Sequence, residues 1–164
     1  MAIVGCGGTG KSTLARALGR CTGLPVVHLD SHYWKPGWEP LSDAEWRART
    51  DELIAEPRWI IDGNYGGTME RRLQRADAIV FLDFPRWRSI AGVLRRRVEF
   101  AGRTRPCMTV GCPERLSAEF LAYVWRYNVT RRAGVLERIE RHRDGRHVAV
   151  LKTPRDVRAF LRPA

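Results

Sequence analysis

Residues 5–12 read GCGGTGKS and match the pattern G-x-x-x-x-G-K-[ST] at every fixed position. The apolar run at 2–4 is typical of a buried strand, and the spacing of apolar residues over 12–20 predicts a helix after the glycines. A glycine-rich turn between strand and helix lets backbone N–H groups surround phosphate oxygens, and the helix N-terminus adds partial positive charge. We therefore expect Lys11 to contact the outer phosphates of a bound polyphosphate and the Ser12 hydroxyl to ligate Mg²⁺.

The remainder of the chain alternates strand-like and helix-like segments. The predicted strands cover residues 2–4, 25–29, 59–61, 78–82 and 147–151. The predicted helices cover 12–20, 42–56, 68–75, 86–100, 114–143 as one helix or two, and a last segment opened by Thr153 and Pro154. Ser42 and Glu45 form the sequence signature of a capping box. This alternation predicts an α/β fold, with a five-stranded parallel sheet covered by helices on both faces, in one domain spanning 1–164.

Acidic residues follow three of the predicted strands, at the edge of a parallel sheet where ligands bind. Asp30 could accept a proton from a substrate hydroxyl, hold a hydrogen-bond donor of the substrate or ligate Mg²⁺ through water. An aspartate at this position is also typical of an ordinary turn without a functional role. Asp62 is the best candidate for a carboxylate that steadies Mg²⁺. Asp83 competes with Asp62 for this role, although Pro85 also favours an ordinary turn at that position.

The composition limits the classes of partner. The net charge of +11 comes mostly from arginine and suits a phosphate-rich partner, either a nucleotide or a nucleic acid. The sequence contains no base-reading motif, so nucleic acid is the weaker candidate.

No apolar stretch has the length of a membrane span and no signal peptide is visible, so we expect a cytoplasmic protein without membrane contact. The four cysteines show no disulfide framework, and Cys6 is either a thiol of lowered pKa or simply a small loop residue.

A basic loop and an aromatic cluster are further candidates for ligand binding. Residues 102–115 carry Arg103 and Arg105 among glycines and prolines, which suits a lid that closes over a γ-phosphoryl group, or a solvated basic loop. Helical spacing lets only one or two of the arginines at 95–97 face a nucleotide, and Arg96 is the candidate. The aromatic residues after the second strand either line an acceptor pocket or cover a helix: Tyr33, Trp34, Trp38 and Trp46.

Seven segments carry a resemblance that spans almost the whole chain. They are GCGGTGKS (5–12), HLD (28–30), YWKPGW (33–38), WIIDGNY (59–65), FLDFPR (81–86), GRTRP (102–106) and GCPER (111–115). With these segments the chain resembles the small phosphate-loop kinases of the adenylate kinase and shikimate kinase group. More narrowly, it resembles the bacterial adenylate kinase-like proteins that are also described as topology modulation or FlaR-type proteins.

The resemblance implies a P-loop NTPase sheet with strand order 2-3-1-4-5, an acceptor-binding segment at about 31–57 and a short lid at about 102–115. It implies ATP and Mg²⁺ as cofactors, and it places Lys152 and Thr153 where such kinases hold adenine through backbone groups. Adenylate kinases carry Pro-Arg shortly after the Asp-Gly that matches residues 62–63, whereas this chain has Tyr65-Gly66. The arginine that would grip the phosphate of a nucleoside monophosphate is therefore missing.

These patterns together predict an ATP- and Mg²⁺-dependent phosphotransferase that acts on a small acceptor such as a nucleoside monophosphate. The alternatives are a kinase for a hydroxyl of a small metabolite or antibiotic, and a nucleic-acid-binding regulator that binds ATP. The predicted catalytic residues are Lys11, Asp30, Arg103 and Arg105, and the predicted metal ligands are Ser12 and Asp62. The residues predicted to bind the nucleotide are Gly5, Cys6, Gly7, Gly8, Thr9, Gly10, Lys11, Ser12, Thr13, Arg96, Lys152 and Thr153. We expect the protein to be a monomer or a homodimer.

Overall fold

The computed structural model describes residues 1–162, which form seven strands and eight helices. The strands are β1 (Ala2–Gly5), β2 (Val26–His28), β3 (Trp34–Lys35), β4 (Glu39–Pro40), β5 (Ile60–Asp62), β6 (Ala78–Leu82) and β7 (His147–Leu151). The helices are α1 (Lys11–Thr22), α2 (Asp30–Tyr33), α3 (Asp43–Ala55), α4 (Gly66–Arg75), α5 (Arg86–Glu99), α6 (Ala118–Thr130), α7 (Arg132–Arg141) and α8 (Pro154–Phe160). Within these residues, no helix has both the length and the apolar character needed to cross a membrane.

Strand β1 lies at the centre of a five-stranded parallel sheet with the order β2-β5-β1-β6-β7. Counted over the five predicted strands, this is the order 2-3-1-4-5, so the predicted fold class is confirmed. Both β1 and β5 are buried along their whole length. Parallel strands that are covered on both faces appear in the sequence as continuous apolar runs, which is why the sequence predicts them well.

Helices cover both faces of the sheet. On one face, α1 and α8 contribute Leu14, Leu18 and Val157 to a cluster with the strands. On the opposite face, helices α4 to α7 contribute Met69, Val93, Val124 and Ile139 to a larger cluster. The residues that follow β1, β2 and β5 therefore meet at one edge of a sheet whose position is fixed by packing from both sides.

The helix starts follow the capping chemistry that the sequence predicts. The Ser42 hydroxyl oxygen accepts from the Glu45 N–H, and the Glu45 carboxylate accepts from the Ser42 N–H, which completes a capping box at α3. Thr153 and Asp156 form a second capping box at α8. These reciprocal hydrogen bonds satisfy N–H groups that have no partner within the helix.

Two regions differ from the predicted secondary structure. The segment predicted over 114–143 consists of α6 and α7, which meet at Arg131. Its first residues are extended, because the Glu114 N–H donates to the Arg103 carbonyl at 2.9 Å and so ties the two ends of the predicted lid together. Helix α2 and the antiparallel β3–β4 pair lie in the predicted acceptor segment and were not predicted. They are two to four residues long, which is too short for a periodic sequence pattern.

Candidate active site

The glycine loop lies between β1 and α1 and packs closely against α5. Gly8 and Gly10 have φ values of +80° and +89°, a backbone region that L side chains rarely adopt. A Cβ atom on Gly8 would lie 2.1 Å from the Ser89 carbonyl oxygen, and a Cβ atom on Gly92 would lie 2.0 Å from the Gly8 carbonyl oxygen. The loop and α5 can therefore touch only because glycine stands at both positions. A Cβ atom on Gly10 would meet no atom within 4 Å, because this side of the loop faces an open cavity.

The loop presents hydrogen-bond donors to that cavity. Within residues 1–162, the backbone N–H groups of Gly7 to Gly10 donate to no protein acceptor. The Lys11 ammonium donates to the Cys6 carbonyl at 2.7 Å, and burial lowers the pKa of Lys11 while the charges of Asp62 and Asp30 raise it. Free N–H groups at a helix N-terminus beside a lysine form a cradle that suits an anion such as a phosphate.

Three residues at the back of the loop hold its shape. The Gly5 N–H donates to the Asn64 side-chain oxygen at 2.9 Å, and the Thr9 hydroxyl donates to the Cys6 carbonyl at 2.8 Å. The Cys6 side chain is buried, and burial raises the pKa of its thiol. The alternative of a thiol with lowered pKa is therefore wrong, because burial outweighs the attraction of the nearby Lys11 charge.

The carboxylates at the strand ends have different surroundings. Asp62 and Ser12 both line the cavity, and one Asp62 oxygen lies 3.0 Å from the His28 Nδ1 atom. Asp83 instead accepts two hydrogen bonds of 2.7 Å from the Arg132 guanidinium and does not line the cavity. Asp62 is therefore positioned for a ligand, whereas Asp83 joins the sheet to α7.

Asp30 lies at the start of α2 and faces the cavity with a side chain that is 39% exposed. The Tyr65 hydroxyl donates to one of its carboxylate oxygens at 2.6 Å, and the Arg105 guanidinium lies 3.7 Å from the other. Burial and the Asp30 charge raise the pKa of Tyr65, so Tyr65 remains a donor at neutral pH. These contacts fix the carboxylate in place and leave it accessible, which a plain turn residue would not need.

A buried arginine supports the backbone that carries Tyr65. Tyr65 has a φ of +39°, and the fully buried Arg72 donates to the carbonyl oxygens of Gly63 at 2.9 Å and of Asn64. Burial lowers the pKa of Arg72 to about 10, which still leaves it charged at neutral pH. The guanidinium therefore satisfies a set of inward-pointing carbonyls and stabilises a strained turn that aims Tyr65 at Asp30.

Two arginines of the cavity share one buried carboxylate. The Glu114 side chain is 1% exposed, and its oxygens lie 2.8 Å from Arg96 Nε and 2.6 Å from Arg105 Nε. Burial and the Arg105 charge lower the pKa of Arg96, and Glu114 opposes this shift. Since Arg105 also reaches Asp30, a continuous chain of charges runs from α5 through the predicted lid to the predicted acceptor segment.

The predicted lid is docked on the predicted acceptor segment. The Gly37 N–H donates to the Gly111 carbonyl at 3.0 Å, and the Trp38 indole donates to the Pro113 carbonyl at 3.1 Å. The Thr109 hydroxyl lies within hydrogen-bond distance of the carbonyl oxygens of Ser31 and Trp34. In this structure the segment is therefore an ordered wall of the cavity rather than a solvated loop.

The cavity between these elements has a volume of about 1080 Å³ and a strongly basic lining. Its basic residues are Lys11, Arg16, Arg95, Arg96, Arg105, Arg115, Arg131 and Arg138. Its aromatic residues include Trp34, Trp38, Phe120, Tyr123 and Tyr127. The aromatic cluster is divided between the cavity and the core: Trp34 and Trp38 line the cavity, whereas Tyr33 and Trp46 pack on the core.

The structure brings ten of the predicted site residues to the lining of this cavity, and six lie outside it. The predicted residues that line it are Gly7, Gly8, Gly10, Lys11, Ser12, Thr13, Asp30, Asp62, Arg96 and Arg105. Gly5, Cys6 and Thr9 are buried at the back of the glycine loop. Arg103 is exposed and lies outside the lining. Lys152 and Thr153 also lie outside it, and both of their N–H groups donate to the Asp156 carboxylate at 2.8 Å. Capping of α8 therefore occupies the backbone donors that were expected to hold adenine.

Sequence reasoning did not single out Arg72 or Glu114 as parts of the site. One signal for Arg72 is its position beside Met69 and Leu73 on the buried face of α4, where a charged residue needs polar partners. No comparable signal exists for Glu114, because its burial depends on two arginines at other points of the chain.

Comparisons with known proteins agree with the fold. Neither the comparison with family models nor the comparison with curated proteins found a match. Among solved structures, a shikimate kinase from Acinetobacter baumannii in complex with shikimate is 15% identical, with coverage of 98% of this chain and 87% of that chain and a TM-score of 0.57. A shikimate kinase from Bacteroides thetaiotaomicron is 17% identical, with coverage of 98% and 92% and a TM-score of 0.54. A gluconokinase from Sinorhizobium meliloti 1021 is 18% identical, with coverage of 98% and 89% and a TM-score of 0.52. The chain thus has the α/β P-loop fold of these small kinases.

Proposed function

We propose that this protein is an ATP-dependent phosphotransferase that acts on a hydroxyl or phosphate oxygen of a small anionic acceptor. The observation that carries the proposal is a single cavity in which the glycine loop faces Asp30 and Arg105. A phosphate cradle, a fixed and accessible carboxylate and a held arginine are the groups that phosphoryl transfer requires.

The glycine loop fits a nucleotide polyphosphate. The free N–H groups of Gly7 to Gly10 and the Lys11 ammonium would bind phosphate oxygens, and Arg96 would approach them from α5. Ser12 and Asp62 would hold Mg²⁺, which supplies positive charge to the phosphate oxygens when bound. Within residues 1–162 no three His, Cys, Asp or Glu side chains are grouped to hold a metal ion, so the remaining Mg²⁺ ligands would be phosphate and water oxygens.

Asp30 would act on the acceptor. It would orient the attacking oxygen and take its proton when that oxygen carries one, while the Tyr65 hydroxyl keeps the carboxylate in position. Arg105 would stabilise the negative charge of the transferring group, and Glu114 would hold Arg105 and Arg96 at the correct separation. The ordered lid, 102–115, would exclude water from the site and so limit ATP hydrolysis.

The walls near Asp30 favour an anionic acceptor. Arg105 and Arg115 lie on this side of the cavity with Trp34 and Trp38, and the Arg115 guanidinium stacks on the Trp38 ring at 4.6 Å. Two guanidinium groups beside aromatic faces suit a carboxylate or phosphate attached to a compact carbon skeleton. The same charges disfavour a polycationic antibiotic.

The proposal is tested by following ATP consumption and the phosphorylated product over four acceptor classes: hydroxy acids, nucleoside monophosphates, neutral sugars and aminoglycosides. We expect turnover with a member of the first two classes, and we expect Asp30→Asn to lower kcat far more than ATP affinity. Turnover restricted to neutral sugars or aminoglycosides would refute the anionic acceptor. Absence of ATP binding by calorimetry would refute the phosphotransferase itself.

A further inference from the structure

One side chain of the cavity lining, that of Tyr127 on α6, is almost completely buried. Tyr127 is 2% exposed, and its ring packs in the larger of the two apolar clusters. It nevertheless lines the cavity. A buried tyrosine hydroxyl normally uses its proton in a hydrogen bond, so the proton of Tyr127 requires an acceptor.

The side chain of Asn64 determines which way this hydrogen bond runs. The Gly5 N–H is a donor and lies 2.9 Å from one end of the Asn64 amide, so that end is the oxygen. The other end, Nδ2, can only donate, and it lies 3.3 Å from the Tyr127 hydroxyl oxygen. The hydroxyl therefore accepts a hydrogen bond from Asn64, and its own proton is directed elsewhere.

The protein supplies no acceptor for that proton. Within residues 1–162, Asn64 is the one hydrogen-bond partner of the Tyr127 hydroxyl. Burial raises the pKa of this hydroxyl, so the proton stays in place at neutral pH. A buried donor without an acceptor is unfavourable. Because Tyr127 lines the cavity, a bound ligand can supply the oxygen that the protein lacks.

The position of Tyr127 along α6 places this donor on the acceptor side of the cavity. Near the start of α6, Phe120 packs on the glycine loop, since a Cβ atom on Gly7 would lie 2.8 Å from its ring. Tyr127 follows seven residues later on the same face, about 10 Å further along the helix axis. There it contacts Asn64, the neighbour of Tyr65 in the turn after β5. The donor thus lies beside the turn that positions the acceptor carboxylate.

The surroundings of the hydroxyl favour a negatively charged oxygen. The cavity lining is strongly basic, and Arg131, one turn after Tyr127, belongs to it. Positive charges attract an anion from any direction, whereas a buried hydroxyl held by a hydrogen bond donates in one direction. The hydroxyl can therefore fix where one oxygen of an anionic ligand lies.

We propose that the Tyr127 hydroxyl binds the acceptor by donating a hydrogen bond to a carboxylate or phosphate oxygen, and that Asn64 is the positioning residue that turns this hydroxyl toward the cavity. The inference rests on the proposed function, since it assigns a contact to the anionic acceptor. It adds a specificity determinant, because an acceptor analogue without that oxygen leaves the buried donor unpaired.

Tyr127→Phe tests the donor, because it removes the hydroxyl and keeps the ring in the apolar cluster. We expect kcat/KM for the acceptor to fall by about tenfold, as for the loss of a hydrogen bond to a charged group. KM for ATP should not change, since the hydroxyl lies on the acceptor side. The matched control is Tyr33→Phe, which removes the hydroxyl of a tyrosine outside the cavity lining and should leave kcat/KM within about twofold of the wild type.

Asn64→Asp tests the positioning role. The Gly5 N–H keeps an acceptor, but the donor that faced Tyr127 becomes a second acceptor, so the hydroxyl proton turns to the new carboxylate. We expect kcat/KM for the acceptor to fall by at least about tenfold in the wild type, and by clearly less in the Tyr127→Phe background, where no proton is left to redirect. Repulsion between the new charge and an anionic acceptor acts in both backgrounds and cancels in this comparison. Equal losses in the two backgrounds would overturn the role of Asn64.

Calorimetry separates this inference from the proposed function. With a non-hydrolysable ATP analogue bound, titrations with inorganic phosphate and with malonate probe a phosphate and a carboxylate on the acceptor side. We expect Tyr127→Phe to weaken one of the two by at least about fivefold, and that probe identifies the class of anion.

The outcomes are distinguishable. Failure of the ATP analogue to bind would refute the phosphotransferase, and the same two titrations on the free protein would still test Tyr127. Unchanged affinity for both probes together with unchanged kcat/KM for the acceptor would overturn the inference. A rise in KM for ATP alone would also overturn it, because the hydroxyl would then contact the nucleotide.

Discussion

The cavity has two walls that are built in different ways. The wall formed by the glycine loop presents backbone N–H groups, and its shape depends on glycines at positions such as Gly8 and Gly92. The opposite wall, formed by the predicted lid and the predicted acceptor segment, presents side-chain charges that are already paired. There Glu114 holds two arginines, and Tyr65 holds Asp30.

This difference bears on how each wall responds to substitution. When one side chain of the loop wall is removed, the backbone N–H donors remain, so activity should lose only the contribution of that side chain's charge. When one member of the paired network is removed, its partner is left as a buried, unpaired charge. Such a substitution should therefore lower the stability of the protein and disturb the geometry of the site as well as its activity. The two walls should therefore give different combinations of changes in kcat and Tm.

The largest expected effect is that of Lys11→Ala in the loop wall. We expect kcat to fall by about a thousandfold, because the ammonium is the one mobile positive charge of the loop that can follow the transferring group. Tm should change little or rise, since burial already disfavours the charged form of Lys11. Steady-state kinetics and a thermal melt measure both quantities. Activity within about threefold of the wild type would contradict the assigned role.

The next largest effect is expected in the lid, where the structure separates two arginines that the sequence treats alike. Arg105→Ala should lower kcat by about a hundredfold and also lower Tm, because it leaves Glu114 with only Arg96 as a partner. Arg103→Ala is the matched control and should keep activity within about threefold, because its side chain is exposed and outside the cavity lining. Equal losses from both variants would show that the lid rearranges when substrates bind.

Glu114 gives a sharper test of the same wall. Glu114→Gln should lower kcat by about tenfold at temperatures well below its Tm, because the two arginines lose their common anchor. Glu114→Asp keeps the charge and should recover part of the loss. If both variants only lower Tm and leave kcat unchanged, Glu114 has a structural role alone.

The sequence predicts the loop wall and the sheet because their determinants are local. Each apolar strand is a continuous run, and residues 5–12 contain the whole glycine loop together with Lys11 and Ser12. The order of the strands came from the resemblance to small kinases, and the observed sheet confirms it.

The lid wall could not be predicted because its contacts join distant residues. Asp30 and Tyr65 are 35 positions apart, and Arg96 and Glu114 are 18 positions apart. No spacing rule relates such pairs, so the sequence could identify basic residues in the lid without deciding between Arg103 and Arg105. The expectation for Lys152 and Thr153 has a different origin, because it came from the resemblance to small kinases. Their N–H groups are used by the local cap of α8, through Asp156 four and three positions away.

The smallest expected effect concerns the hydroxyl that holds Asp30. Tyr65→Phe removes the 2.6 Å hydrogen bond and leaves the aromatic packing in place, so kcat/KM for the acceptor should fall by about tenfold, as expected for a hydrogen bond to a charged group. KM for ATP should not change, because Tyr65 acts on the acceptor side of the cavity. The matched control is Tyr33→Phe, the same change in a ring packed at 4.8 Å from Tyr65, which makes no hydrogen bond to Asp30 within residues 1–162. If Tyr65→Phe and Tyr33→Phe behave alike, or if KM for ATP rises instead, Asp30 does not owe its position to Tyr65. The acceptor side would then be as tolerant of single substitutions as the glycine loop.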